Sequence, residues 1–153
     1  MVMTQSSPPD PLYLFKRACK RRHLKLTPQR IRIYQELLKS KIHPSAETLF
    51  RAVRRDLPSI SFDTVNRTLN TLCDMGVIHP VETHGGPRRF DGNIQAHHHF
   101  LCRNCGDIAD FKSKDCDTVR IPAAVEDNCE IRTKRVVVSG RCPKCAKRKT
   151  PYP

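Results

Sequence analysis

Two C-x-x-C pairs, "CRNC" at 102–105 and "CPKC" at 142–145, constrain this chain more than any other feature. Each pair sets two thiolates on one tight turn, and four thiolates brought together make a closed tetrahedral zinc site. Gly106 follows the first pair and Gly140 precedes the second, as knuckle turns often require. The 36 residues between the pairs exceed what a compact zinc ribbon holds, so a small fold must lie between them. The spacing predicts a structural Zn(II) on Cys102, Cys105, Cys142 and Cys145; two independent redox pairs and an iron–sulfur cluster are the alternatives. The remaining cysteines, Cys19, Cys73, Cys116 and Cys129, lack such spacing and read as small buried hydrophobes or free thiols. The opening "MVMTQSSPPDP" carries no apolar signal segment and reads as a flexible lead-in over residues 1–11. We therefore expect a cytoplasmic protein, where cysteines serve metals or redox chemistry more than disulfides.

The stretch "AHHHFLCRNCGDIADF" (96–111) adds a second group of ligand types. On a strand, side chains alternate faces, so His97 and His99 point one way and His98 the other. With the sulfur site full at four, His97 and His99 are free to build a second site. Candidate further ligands are Asp91 just upstream, Asp110 on a neighbouring strand and His43 in a loop before a helix. Imidazole with carboxylate suits Fe(II), Mn(II) or Zn(II), and more carboxylate leans towards the harder ions. His98 reads as a solvated histidine.

Upstream the pattern is helical. "PLYLFKRACKRRHLKL" spaces Leu12, Phe15 and Cys19 on one face. "TPQRIRIYQELLKS" has Thr27 as N-cap, Pro28 at the first helical position and an apolar stripe of Ile31, Tyr34, Leu37 and Leu38. "SAETLFRAVRRDLP" starts at a Ser45 cap, buries Leu49, Ala52 and Val53, and stops at Pro58. In "SFDTVNRTLNTLCDMG", capped by Ser61 or Asp63, Val65, Leu69 and Leu72 face inward while Thr64, Asn66, Arg67 and Asn70 face out; Gly76 ends it. "VIHPVETHGGPRRFDG" reads as two short strands about a Gly-Gly turn. Helices followed by a basic hairpin make a winged helix-turn-helix. Beyond it the pattern turns to strands ("HHFLC", "IADF", "EIRTKRVVVSG") with a short helix near 116–127. The predicted class is α+β: a winged-helix domain over 1–91, a hinge over 92–97, and an α+β domain with the four-cysteine site over 98–153.

The net charge of +13 favours a polyanionic partner, and "KRACKRRHLK" concentrates it early. No stretch approaches the roughly 18 apolar residues of a membrane span. A metallohydrolase using the His/Asp set is one rival class, since open mixed sites activate water. Against it, the ligands are scattered and no spare general base is evident. A zinc-ribbon RNA-binding module is another, but aromatic residues for stacking single strands are scarce, at 6%.

In combination, "LTPQRIRIYQ", "HPSAETLF", "ISFDTVNRTLNTLCDMGVI", "RRFDG", "HHHFLCRNCGDIADF" and "GRCPKC" are very specific. From about residue 14 to 147 the chain resembles the ferric-uptake-regulator family of metal-dependent repressors, and most resembles its peroxide-sensing branch. The resemblance implies a regulator, not an enzyme. It implies a homodimer with an N-terminal DNA-binding domain, a C-terminal dimerisation domain, a four-cysteine zinc and a regulatory site at the hinge. His43, Asp91, His97, His99 and Asp110 match that branch's three histidines and two aspartates, where iron-responsive members tend to have glutamate in place of the aspartates. It further implies Fe(II) or Mn(II) as regulatory ion, with His43 and His97 as targets of oxidation by peroxide, and no other small-molecule substrate. An iron- or zinc-responsive repressor with reversible sensing is the nearest rival. For DNA, the implied reading helix presents Thr64, Asn66, Arg67 and Asn70 to a palindromic duplex operator, with Lys16, Arg17, Lys20, Arg21, Arg22, Arg88 and Arg89 on phosphates. Asn66 departs from the family's usual tyrosine, "TVNRTL" for "TVYRTL", which puts the operator sequence in question; Asn can bond bidentately to adenine.

Overall fold

The computed structural model describes residues 10–131 and 133–148. Its described residues fall into two compact units. One runs up to Val81 and includes Pro87–Ile94; the other takes Glu82–Gly86 and continues from Gln95.

The first unit begins with α1 (Pro11–Arg21), where Asp10 accepts the Leu12 N–H at 3.0 Å and Pro11 takes the first helical position. Asp10 and Pro11 are thus a helix start rather than lead-in; the rest of the expected lead-in lies outside the described residues. Next come α2 (Pro28–Lys39), α3 (Ala46–Val53) and α4 (Phe62–Asp74), capped by the hydroxyls of Thr27, Ser45 and Ser61. Each cap satisfies a backbone N–H that the first helical turn leaves without a partner. After α4, Gly76 adopts φ 68°, and its N–H and that of Val77 reach back to the Cys73 and Leu72 carbonyls at 2.9 and 3.0 Å. That left-handed residue is why the helix stops there.

Phe15, Ile33, Tyr34, Leu37, Leu49, Val53, Val65, Leu69, Leu72, Ile78 and Phe90 fill one core. Each such side chain contributes about 1.5–3 kcal/mol of burial free energy. The α2 stripe is turned slightly from expectation: Ile33 is fully buried and Ile31 only partly. In α3, Ala46 is buried and Ala52 half-buried. β1 (His79–Val81) pairs antiparallel with β2 (Arg89–Asp91), and Ser45 adds a bridge to Arg89.

Tyr34 stacks on Phe15 with ring centroids 4.5 Å apart and donates its hydroxyl to the Pro11 carbonyl at 3.2 Å. Burial, with Asp10 adding to it, pushes its pKa up to about 12. The folded state holds this proton more tightly than the unfolded chain, whose tyrosines titrate at about 10. Its contribution is therefore intact below about pH 10 and is lost as pH rises towards 12. Melting temperature measured across that window should fall, and Tyr34→Phe should flatten the slope.

The second unit holds a three-stranded sheet in the order β4-β3-β5. β3 (His98–Cys102) is central, antiparallel to β4 (Ile108–Phe111) and parallel to β5 (Val137–Gly140). A parallel neighbour requires a crossover, and 112–136 supply it. That segment forms α5 (Lys114–Asp117) and α6 (Ala123–Glu126) in place of the single helix expected near 116–127. Pro122 is the reason: it removes a backbone donor and disfavours helical geometry at Ile121. Of the strand expected from Glu130, only Val137–Gly140 joins the sheet; Arg132 lies outside the described residues. α7 (Pro143–Lys147) carries the last cysteine. The architecture is mixed helix and sheet, as the sequence predicts. Among the described residues no helix is long and apolar enough to cross a membrane.

Candidate metal centres

The β3–β5 register sets Cys102 opposite Gly140, so the two C-x-x-C turns emerge side by side from neighbouring strand ends. Arg103 N–H to the Gly140 carbonyl at 2.8 Å ties the turns together, and Gly106 at φ 72° completes the first. The four sulfurs lie within 4.8 Å of one another, with Cys105 and Cys142 Sγ 3.8 Å apart. A tetrahedron with Zn–S bonds near 2.3 Å has sulfur edges of about 3.8 Å. All four cysteines are free thiols in one set, which is unlike two independent disulfide pairs.

Their acidities point the same way. At Cys102 burial opposes ionisation, but N–H groups of Cys105, Cys142 and Asn104 outweigh it and bring the thiol down to about 6. At Cys105 the Asp107 backbone favours the thiolate, yet burial and the neighbouring sulfurs push it up to about 12. Cys145 is raised, by burial first and then by Cys142. Cys102 ionises easily while Cys105 and Cys145 resist, so thiolates crowded together here are best stabilised by a cation. The residues fit a thiophilic divalent metal.

His97 and His99 also sit in this unit, each about 2% exposed, with Nε2 atoms 2.9 Å apart. His97 Nδ1 lies 2.7 Å from the Gln95 carbonyl, which can only accept, so the ring proton is on Nδ1 and Nε2 presents a lone pair. Asp110, the ladder partner of His99, places Oδ1 3.5 Å from His99 Nε2 and 3.9 Å from His97 Nε2. Two imidazoles and a carboxylate converging on one point suit a divalent ion of intermediate hardness.

His98 corrects the sequence expectation. It is 1% exposed rather than solvated. Its Nδ1 accepts the Val136 N–H at 3.2 Å and its Nε2 lies 3.0 Å from Asp117 Oδ1. The alternation of faces holds, but the second face of β3 is covered by the crossover, which no local pattern reveals.

The other two expected ligands belong to the first unit. The Phe90 N–H donates to the Pro44 carbonyl at 3.0 Å, which anchors the loop before α3 on β2 and brings His43 beside Asp91. Their ligating atoms lie within 4.8 Å of each other, and the residues are 5% and 4% exposed. His43 adopts φ 46°, a left-handed conformation uncommon outside glycine. Asp91 accepts the Asn93 N–H at 2.7 Å. Gly92 follows where a Cβ would meet Leu38 Cδ2 at 3.2 Å and Leu37 Cγ at 3.3 Å.

On α4, Arg67 is exposed and ion-pairs with Asp63, while Thr64, Asn66 and Asn70 are half-buried. Arg88 donates to Asn70 Oδ1 at 3.0 Å, joining the hairpin to α4. Lys16, Arg17, Lys20 and Arg21 stand exposed along α1. Exposed i,i+4 pairs are weak, so the Arg67 guanidinium exchanges partners at little cost.

The sequence profile of the "Ferric uptake regulator family" matches residues 21–139. The chain is 30% identical over 122 residues to the peroxide-responsive repressor PerR of Staphylococcus aureus (strain Mu50 / ATCC 700699), covering 80% of this chain and 82% of that protein. The Helicobacter pylori ferric uptake regulator Fur, with three functional metal binding sites, superposes with TM-score 0.74 at 23% identity, over 92% of this chain and 94% of its own. The Campylobacter jejuni peroxide stress regulator superposes with TM-score 0.65 at 25% identity, over 89% and 99%.

Proposed function

The chain belongs to the ferric uptake regulator family, and from that premise we propose that it is a metal-dependent, DNA-binding repressor that senses peroxide. In this reading Cys102, Cys105, Cys142 and Cys145 hold a structural Zn(II). One Fe(II) or Mn(II) is held jointly by His43, Asp91, His97, His99 and Asp110. Residues 1–91 bind DNA, 92–97 act as hinge and 98–153 dimerise. The protein works in the cytoplasm as a regulator rather than an enzyme.

The observation that supports this most is the buried His97–His99 pair, Nε2 atoms 2.9 Å apart beside Asp110. Burying two imidazoles and aiming them at each other has little use in a core, whereas it preorganises a metal site. The aspartates, and similarity to a peroxide-responsive repressor, support the sensing mode.

Ligands drawn from both units make metal binding a conformational bias: the ion favours whichever arrangement lets all five reach it. A homodimer so fixed presents two α4 helices to a palindromic duplex, with Thr64, Asn66, Arg67 and Asn70 towards bases. Lys16, Arg17, Lys20, Arg21 and Arg88 hold phosphates. Fe(II) held there would activate hydrogen peroxide: one peroxide oxygen would add to a ring carbon of His43 or His97, the other would leave as water, and the oxidised imidazole would supply the two electrons. An oxidised imidazole ligates poorly, so the bias disappears and DNA is released.

The test is peptide mass spectrometry after Fe(II) and peroxide treatment. One added oxygen on the His43 or His97 peptide is expected with Fe(II) and absent with Mn(II). Metal-dependent DNA binding that survives peroxide with both histidines unmodified would favour reversible metal sensing at the same residues.

A further inference from the structure

The second face of β3 is as elaborately held as the face that bears the ligands. The backbone of Val136 grips it twice, through the peptide groups on either side of its Cα. Its carbonyl accepts the His99 N–H at 3.1 Å, and its own N–H donates to His98 Nδ1 at 3.2 Å. A backbone N–H can only donate, so the His98 proton must reside on Nε2, from which it is donated to Asp117 Oδ1 at 3.0 Å. The ring lies against Phe111, centroids 5.5 Å apart. Lys134 fixes the other side of the assembly, donating Nζ to the backbone carbonyls of Asp117 and, at 2.8 Å, Val119. An imidazole of one defined tautomer thus links the end of α5, the 134–136 segment and the strand whose flanking histidines converge on the candidate metal position.

We propose that His98 is a positioning residue for the regulatory metal, acting through Val136 and Asp117 to hold His97 and His99 in the geometry an ion requires. This rests on the metal reading under Proposed function. The physical ground is that a ligand pair binds well only if its spacing is set beforehand, since ordering two side chains on binding subtracts from affinity. His99 is most affected, because Val136, whose carbonyl accepts its N–H, is itself held through its own N–H by the His98 ring. Supporting groups of this kind typically alter metal affinity by about 10–100-fold.

The experiment uses the full zinc-loaded chain and measures Mn(II) affinity by competition with a fluorescent chelator. Zinc content and melting temperature are recorded alongside. His98→Phe keeps the ring and its contact with Phe111 but removes both hydrogen bonds; a roughly tenfold or greater loss of Mn(II) affinity is expected, with zinc unchanged. Asp117→Ala should weaken Mn(II) in the same direction but less, since Val136 keeps its acceptor. Asp117→Asn, which retains an oxygen acceptor for Nε2–H, should restore affinity to near the parent. If His98→Phe fails to fold, the Asp117 pair decides alone.

A lowered melting temperature with parental Mn(II) affinity well below that temperature would overturn the proposal, showing His98 to be structural only. Equal affinity for Asp117→Ala and parent would do the same when His98→Phe cannot be measured. A parent chain with no Mn(II) site, or one that His97→Ala does not weaken, would instead remove the metal reading itself and this inference with it.

Discussion

Replacing Cys102 or Cys142 with serine is expected to cost the chain its zinc and its second unit together. The apolar core there is thin: Leu101 and Ile108 are its buried aliphatic side chains among the described residues. Two such side chains are a small core for a fold of this length, and small folds with thin cores depend on a staple. Val119, Val125, Ile131, Val137 and Val138 remain exposed. Structural zinc contributes on the order of 10 kcal/mol, which is the term the unit lacks otherwise. The serine variants should therefore contain no tightly bound zinc, lose cooperative melting of the second unit, and elute as unfolded or aggregated species by size exclusion. The helical unit, with its own core, should retain its far-ultraviolet signal. Variants that remain zinc-free yet fully folded would show that the sulfur cluster is not the staple.

A contrasting outcome is expected for His43→Ala, Asp91→Ala and Asp110→Ala. None of these touches the sulfurs, so zinc content and folding should be preserved. What should be lost is the dependence of DNA binding on Fe(II) or Mn(II). Moving a two-state equilibrium from 1:99 to 99:1 takes about 5.5 kcal/mol of differential affinity, and a missing ligand removes several of those kilocalories. Fluorescence anisotropy on a duplex selected from random sequence, titrated with Mn(II) against a chelated control, should show the metal-dependent gain falling about 100-fold or more. If these variants and the cysteine variants fail in the same way, one site rather than two is present.

Much of this was legible from residue order because the relevant signals are local. Thr27, Ser45 and Ser61 announce helix starts through their own hydroxyls. The C-x-x-C pairs announce a sulfur cluster because each places two donors on one turn. His97 and His99 follow from strand alternation, and Asp110 from the hairpin that returns beside it. What escaped were the long-range pairings. Burial of His98 depends on Asp117 and Val136, 19 and 38 positions away, with no periodicity to tie them. Division of the crossover into two short helices hinged on one residue, Pro122, whose effect a helical pattern over 116–127 conceals. The small rotation of α2 towards Ile33 reflects packing against three neighbours rather than any preference in its own sequence.

Parallel pairing of β3 with β5 bears on how such a chain is made. Synthesis releases Cys102 and Cys105 well before Cys142 and Cys145, and the strand that unites them cannot seat until the whole crossover has emerged. For that interval a nascent polypeptide displays two naked thiols able to capture the wrong ion or an oxidant.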